Sequence, residues 1–176
     1  LTFKAAIIGL ILVIIFMILY YRLPGFLAAL ALIFYAIINL AIYKLVPVTM
    51  TLGGLAGFIA SLGMAVDANV LIFERIKEEM RAGRTVGAAI EAGFKRAWSA
   101  ILVCNITTFI ACIIMYALGN FSITSSNLIT GFALTLFIGV LVSMFTAILV
   151  TRTLLRLFIG TSLAQKKALF TTIGGM

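Results

Sequence analysis

Five long apolar segments constrain this chain more than any other feature of its sequence. They lie at roughly 5–21, 25–43, 51–73, 98–118 and 128–150. A helix that crosses a bilayer needs about 20 mostly apolar residues, and each segment is close to that length. The sequence therefore predicts an all-α, polytopic membrane helix bundle. Its transmembrane domain would occupy residues 1–159, with five transmembrane helices, and a cytoplasmic tail would follow at 160–176.

The composition excludes several other classes of protein. Hydrophobic residues make up 64% of the chain and charged residues 10%, whereas a soluble domain has an apolar share of roughly 45–50%. The net charge of +8 does not indicate nucleic-acid binding, because the cations lie in short loops, where they set membrane orientation. The chain has no histidine, the commonest metal ligand and general base. We predict no metal site, no cofactor and no enzymatic activity.

The distribution of lysine and arginine predicts the orientation of the bundle. If the segments cross the membrane in turn, eleven of these residues fall on one side and only Lys4 and Lys44 fall on the other. Because short cytoplasmic loops carry the excess of positive charge, the N-terminus is expected outside and the C-terminus in the cytoplasm. Leu1 stands directly before a span, so we expect the sequence to be part of a longer protein.

The charged connection at 74–97 is predicted to contain a separate helix. Apolar residues recur there at helical spacing, and Thr85 stands at the N-cap position: Val86, Ala89, Ile90, Gly93 and Phe94. We expect an amphipathic helix at the cytoplasmic interface that anchors its neighbours. A partner-binding face is the less favoured alternative.

Asp67 is the only acid within the five apolar segments. An ionised carboxylate in hydrocarbon is costly, so an acid at this depth is a functional hypothesis by default. On a helical wheel with 100° per residue, small residues fall within about 40° of it: Gly53, Ala56, Ala60 and Gly63. Small residues let membrane helices approach closely, which predicts that Asp67 points into the bundle and not toward lipid.

Polar residues on the third and fourth segments are candidates to support Asp67. Asn69 lies on the bulky side of the third segment, and the others lie on the fourth: Cys104, Asn105, Thr107 and Thr108. Such residues serve close packing more often than transport. If they face Asp67, they would stabilise its charged form or hold water for a proton path.

No basic residue lies within a segment, so the counter-charge of Asp67 is not evident. Two alternatives stay open at this point. The acid is neutral at rest, or its partner lies on a segment outside this chain. A third interpretation, without a transport role, is a protonated and hydrogen-bonded acid that only fixes helix packing.

The stretch Gly63–Glu79 resembles the signature of the SecD/SecF family of bacterial protein-export membrane proteins, which belongs to the resistance–nodulation–division (RND) superfamily. The resemblance continues through Asn105–Thr108, Gly131–Gly139 and Ser143–Ala147. The triplet Phe73-Glu74-Arg75 favours the SecD type, because SecF proteins typically have Phe-Asp-Arg there. Two features differ from the family pattern: Cys104 replaces the usual acid, and 119–130 replaces a short Gly-Thr-Gly turn.

The resemblance implies a six-span subunit with a large outer domain between its first two spans, so this chain would supply spans two to six. Such a subunit lies in the cytoplasmic membrane and works with SecF and the SecYEG translocon. It uses the proton gradient to assist a translocating polypeptide, which its outer domain would contact, and Asp67 takes the position of the family's proton-coupling acid. The alternatives are a proton-driven small-molecule exporter of the same superfamily and a structural scaffold for SecF and the translocon.

Overall fold

The computed structural model describes residues 2–46, 50–121 and 127–159, and every regular element in these ranges is helical. The all-α prediction is therefore confirmed for the part of the chain described, while the tail expected at 160–176 lies outside it. In chain order the elements are α1 (Thr2–Tyr21), α2 (Leu23–Leu45), α3 (Leu52–Arg81), α4 (Val86–Phe121), α5 (Asn127–Phe145), a π-helical turn (Thr146–Thr151) and α6 (Arg152–Ile159).

Four stretches are long and apolar enough to cross a membrane: Pro24–Leu45, Leu52–Arg81, Val86–Phe121 and Asn127–Leu157. The last of these runs without a break from α5 through the π-helical turn into α6. The apolar part of α1, Ile7–Tyr21, is helical but shorter. Four of the five expected spans thus have the required length and composition, and the span at 5–21 stays a prediction.

The separate amphipathic helix expected within 74–97 is not found. Residues 74–81 complete α3, and residues 86–97 form the start of α4, which continues as one helix of 36 residues. The apolar face was correctly identified, but it covers a neighbouring helix and not a membrane surface. Gly93 lies directly against the backbone of Ile76 on α3, and Ala89, Ile90 and Phe94 belong to the same buried cluster.

The packing of α3 against α5 is the most extensive helix contact in the bundle. Glycines bring the two backbones together, because a methyl group on Gly53 would overlap the carbonyl oxygen of Leu128. A methyl group on Gly57 would likewise overlap Thr135 Oγ1. Small residues at membrane helix contacts allow this kind of approach and the dispersion contacts that follow from it.

Helix α2 is joined to this pair by hydrogen bonds from the hydroxyl groups of two buried tyrosines. The Tyr35 hydroxyl and Ser61 Oγ on α3 are 2.6 Å apart, and the Tyr43 hydroxyl donates to the carbonyl oxygen of Thr135 on α5 at 3.1 Å. The turn from α1 into α2 is a single residue, Arg22, with a φ of 50°. These contacts place α2 across one side of the α3–α5 pair.

Ion pairs tie the helices together at one end of the bundle, which we call the charged end (residues 74–97 and 152–156). Glu79 is 5% exposed, and its two carboxylate oxygens accept from Arg84 and Arg96 at 2.7 and 2.6 Å. Gly83, with a φ of 87°, allows the tight turn between α3 and α4. The buried carboxylate of Glu79 therefore joins the end of α3 to the start of α4.

A second carboxylate at the charged end joins α4 to α6. Glu91 accepts hydrogen bonds from Arg152 and Arg156. The groups are exposed, so solvent screens the interaction and each pair contributes little stability by itself. They join α4 to α6 at the charged end.

The two kinds of glycine on α3 give a testable prediction about stability. Gly57→Ala should lower the free energy of unfolding by about 1–3 kcal/mol, because the new methyl group meets Thr135 and the Phe132 carbonyl. Gly63→Ala is the matched control, since an added Cβ there has nothing within 4 Å. It should be neutral or stabilise the chain by up to about 1 kcal/mol. Unfolding of the purified chain by a denaturing detergent measures both, and equal destabilisation would contradict the packing described.

Candidate functional site

Asp67 lies on an exposed face of α3, beside α4. Its side chain is exposed, and so are three of the four small residues predicted to surround it: Ala56, Ala60 and Gly63. Only Gly53 is buried, against α5. The prediction that Asp67 points into the bundle is therefore wrong for this chain. The exposed residues Ala56, Ala60, Gly63 and Asp67 are called the Asp67 face below.

The error arose because α3 carries two rows of small residues. The second row, Gly57, Ser61, Ala65 and Ala68, lies about 120° around the helix from Asp67 and is buried. Either row would permit close approach of a neighbour, and residue size alone does not say which one the chain's own α5 uses. In the structure α5 takes the second row, and the Asp67 face is left open.

A cavity of about 270 Å³ lies beside Asp67, between α3 and α4. Two of the predicted supporting residues line it together with Asp67: Cys104, which is exposed, and Asn105, which is 6% exposed. Most of the remaining wall is apolar, including Leu71 and Ile101. Besides the thiol of Cys104, the only ionisable groups among its lining residues are two carboxyls. The lining therefore contains acidic side chains and no basic one.

The second carboxyl group of the cavity belongs to Glu74, which the sequence interpretation did not single out. Glu74 follows Asp67 by seven residues, two helical turns along the same face, and this spacing was the available signal. Its Oε1 accepts from the Tyr21 hydroxyl at 3.0 Å and lies 3.7 Å from Lys77 Nζ. Asp67, in contrast, makes no hydrogen bond or ion pair with any described residue.

The two threonines predicted to support Asp67 do not line its cavity. Thr107 and Thr108 donate their hydroxyl hydrogens to the carbonyl oxygen of Cys104, at 2.7 and 3.1 Å. Thr108 also lies 3.8 Å from Met64 Sδ on α3. Their polar groups are therefore satisfied within α4, and neither residue contributes to the cavity beside Asp67.

Asn69 is buried on the opposite side of α3 from the cavity and bonds to the π-helical turn. Thr151 Oγ1 donates to Asn69 Oδ1 at 2.9 Å, and both residues are at most 4% exposed. A π-helical turn shifts the following residues around the helix axis, and such turns are frequent near functional sites. This hydrogen bond fixes the segment of α3 that carries Asp67 relative to α6.

Comparisons with known proteins agree with the resemblance. The family model described as "Protein export membrane protein SecD/SecF, C-terminal" matches residues 2–161. The chain is 63% identical over 172 residues to the protein translocase subunit SecD of Dehalococcoides mccartyi, covering 98% of this chain and 38% of that one. It is 56% identical over 159 residues to the SecD subunit of Thermobaculum terrenum, covering 90% of this chain and 30% of that one.

The structure is also similar to a solved membrane protein. The crystal structure of SecDF from Thermus thermophilus, a translocon-associated membrane protein, superposes with a TM-score of 0.86 at 31% identity. The match covers 99% of this chain and 23% of that chain. The present chain thus spans between about a fifth and two fifths of the length of these relatives.

The bond between Asn69 and Thr151 can be tested by substitution. Thr151→Val keeps the shape of the side chain but removes the donor, leaving a buried amide oxygen without its partner. We expect the free energy of unfolding to fall by about 1 kcal/mol, the scale of hydrogen bonds between membrane helices. Thr153→Val, at an exposed position on α6, is the control and should have no effect. Equal unfolding free energies for the two variants would show that the bond contributes nothing.

Proposed function

Because the chain belongs to the SecD/SecF family of protein-export membrane proteins, we propose that it is the membrane part of a SecD subunit that couples the proton gradient to polypeptide export. Asp67 is the coupling acid in this proposal. The subunit works in the bacterial cytoplasmic membrane with SecF and the SecYEG translocon. Its five spans, including α1, place the charged end in the cytoplasm, as the distribution of cations favours.

The main support for the proposal is that Asp67 lies on an exposed face of small residues on α3. The cost of an aspartate at the centre of a spanning helix is about 2.5–3.5 kcal/mol by insertion measurements. Asp67 lies six residues, about 9 Å, before the apolar segment ends at Phe73, and its short side chain does not reach the interface. Contact with another protein surface removes this cost, whereas contact with lipid does not.

A helix of SecF is the partner that this face fits. Ala56, Ala60 and Gly63 recur along one side of α3, so a neighbouring helix can approach the backbone closely there. Such an approach would surround Asp67 with groups from the second subunit. Of the two explanations left open by the sequence, the structure thus favours a partner for Asp67 outside this chain.

The cavity beside Asp67 supplies a route for the proton toward the cytoplasm. It extends from Asp67 to Glu74, two turns closer to the charged end, and Asn105 lies in its wall. In the proposed cycle Asp67 takes up a proton from the outer side, and the proton leaves by way of the cavity and Glu74. Loss and gain of the charge on Asp67 alter how tightly the Asp67 face packs against SecF. This change in helix packing moves the outer domain that assists the polypeptide.

The test is substitution of Asp67 in the full-length protein. Asp67→Asn keeps the size and polarity of the side chain but does not titrate. Export stimulated by the proton gradient should fall to the rate measured without a gradient, while the rate without a gradient stays unchanged. Glu78→Gln is the matched control, because Glu78 is an exposed acid on α3 that does not line this cavity and whose ion-pair partner among the described residues is Arg75. Export of a secretory protein into membrane vesicles, with and without a proton gradient, measures both variants.

The same assay separates the alternatives. A subunit that is only a scaffold for SecF and the translocon would keep the full gradient stimulation in Asp67→Asn. A small-molecule exporter of the RND superfamily would show no dependence of polypeptide export on this chain in any variant. Either result would exclude proton-coupled export through Asp67.

A further inference from the structure

A second cavity of about 690 Å³ opens at the charged end, and it shares no lining residue with the cavity beside Asp67. Its walls come from the start of α4, the π-helical turn and α6. Lys95 and Trp98 lie on α4, Ile148 lies in the π-helical turn, and Arg152 begins α6. We call this cavity the α4–α6 groove.

The α4–α6 groove contains more positive than negative charge. Arg84, Lys95 and Arg152 line it, against a single carboxylate, Glu91. Glu79, outside the groove, binds Arg84, and Glu91 binds Arg152. Lys95 is exposed and makes no ion pair among the described residues, so its charge stays available to a ligand.

Arg152 is held so that its charge faces the groove. Its guanidinium carbon lies 5.9 Å from the centre of the Phe94 ring, which also lines the groove. One N–H group of this guanidinium bonds to Glu91, and the N–H groups on its other terminal nitrogen have the geometry to meet the oxygens of a phosphate. Lys95 and Arg152, from two different helices, thus offer the two cations that a phosphate group would need.

The other end of the groove is apolar. Trp98 stands where the apolar segment 98–118 begins and is 36% exposed. A tryptophan at this level is typical of the membrane interface, where its ring contacts acyl chains and its N–H contacts headgroups. Ile148 adds an apolar side chain from the π-helical turn. A ligand that fills the groove would therefore be anionic at one end and apolar at the other.

We propose that the α4–α6 groove binds an anionic phospholipid of the surrounding leaflet, with its phosphate between Lys95 and Arg152 and its glycerol region beside Trp98. A lipid fits better than free phosphate, because the cations continue directly into the apolar wall formed by Trp98 and Ile148. This site is independent of the proposed role of Asp67. The bound lipid would contact both α4 and the π-helical turn and would hold them together.

The chain contains a single tryptophan, so Trp98 reports on the groove directly. The purified chain is placed in phosphatidylcholine nanodiscs, and brominated phosphatidylglycerol or brominated phosphatidylcholine is added to quench its fluorescence. Half-maximal quenching should require about fivefold less phosphatidylglycerol than phosphatidylcholine. Lys95 is the groove cation that makes no ion pair among the described residues, and one such cation near the surface favours an anionic lipid by about this factor. Lys95→Gln should remove most of this preference.

Arg81→Gln is the matched control, because Arg81 is also an exposed cation of the charged end without an ion pair among the described residues, and it does not line the groove. It should leave the preference unchanged. Equal loss in both variants, or no preference in the unaltered chain, would overturn the proposal. Quenching by phosphatidylglycerol that inorganic phosphate reverses, at constant ionic strength, would show a site for a soluble anion and would also overturn it.

Glu91→Gln provides a second variant with the opposite expected sign. It removes the carboxylate that competes for Arg152, so the preference for phosphatidylglycerol should increase. An unchanged or reduced preference would contradict the role given to Arg152. The far-ultraviolet circular dichroism spectrum of each variant is recorded as well, and a spectrum equal to that of the unaltered chain would show that the helices are retained.

Discussion

The close packing of α3 against α5 is the constraint on which the rest of the structure depends. Gly57, Ser61 and Ala65 on α3 bring the two helices together, and α2 is then hydrogen-bonded to both of them through Tyr35 and Tyr43. Because a helix has a fixed angular spacing, using one row of small residues inside the bundle determines where the other row points. The Asp67 face is exposed for this reason.

Several contacts keep the segment that carries Asp67 in one orientation. The bond from Thr151 to Asn69 fixes its inner side, and Glu79 and Glu91 tie α3, α4 and α6 together at the charged end. If Asp67 is the coupling acid, as proposed, these contacts direct the effect of a change in its charge to the contact with a neighbouring helix. Energy from proton movement is transmitted only if the rest of the bundle does not absorb it by rearranging.

Hydropathy alone identified the helical class and the positions of four spans, because the length requirement of a bilayer is strict. It did not show that α4 is continuous, since the charges of residues 84–96 interrupt the apolar pattern but not the helix. The helical wheel correctly placed Ala56, Ala60, Gly63 and Asp67 on one face of α3. It could not show which of the two rows of small residues is buried against α5. The roles of Asn69 and Glu74 depend on partners far away in sequence, Thr151 and Tyr21, which no local pattern reveals.

In the proposed mechanism Asp67 exchanges a proton while it faces a partner subunit. Asp67 is the only aspartate of the chain, so a chain labelled with carboxyl-¹³C aspartate gives one isotope-shifted carboxyl band in the infrared spectrum. The labelled chain is reconstituted with unlabelled SecF in sealed lipid vesicles, and spectra are recorded before a proton gradient is imposed, while it is present and after it is collapsed. If Asp67 exchanges a proton, the band of the labelled carboxyl changes when the gradient is imposed and returns when it is collapsed. A band that does not change would contradict this mechanism and would leave Asp67 with a packing role only.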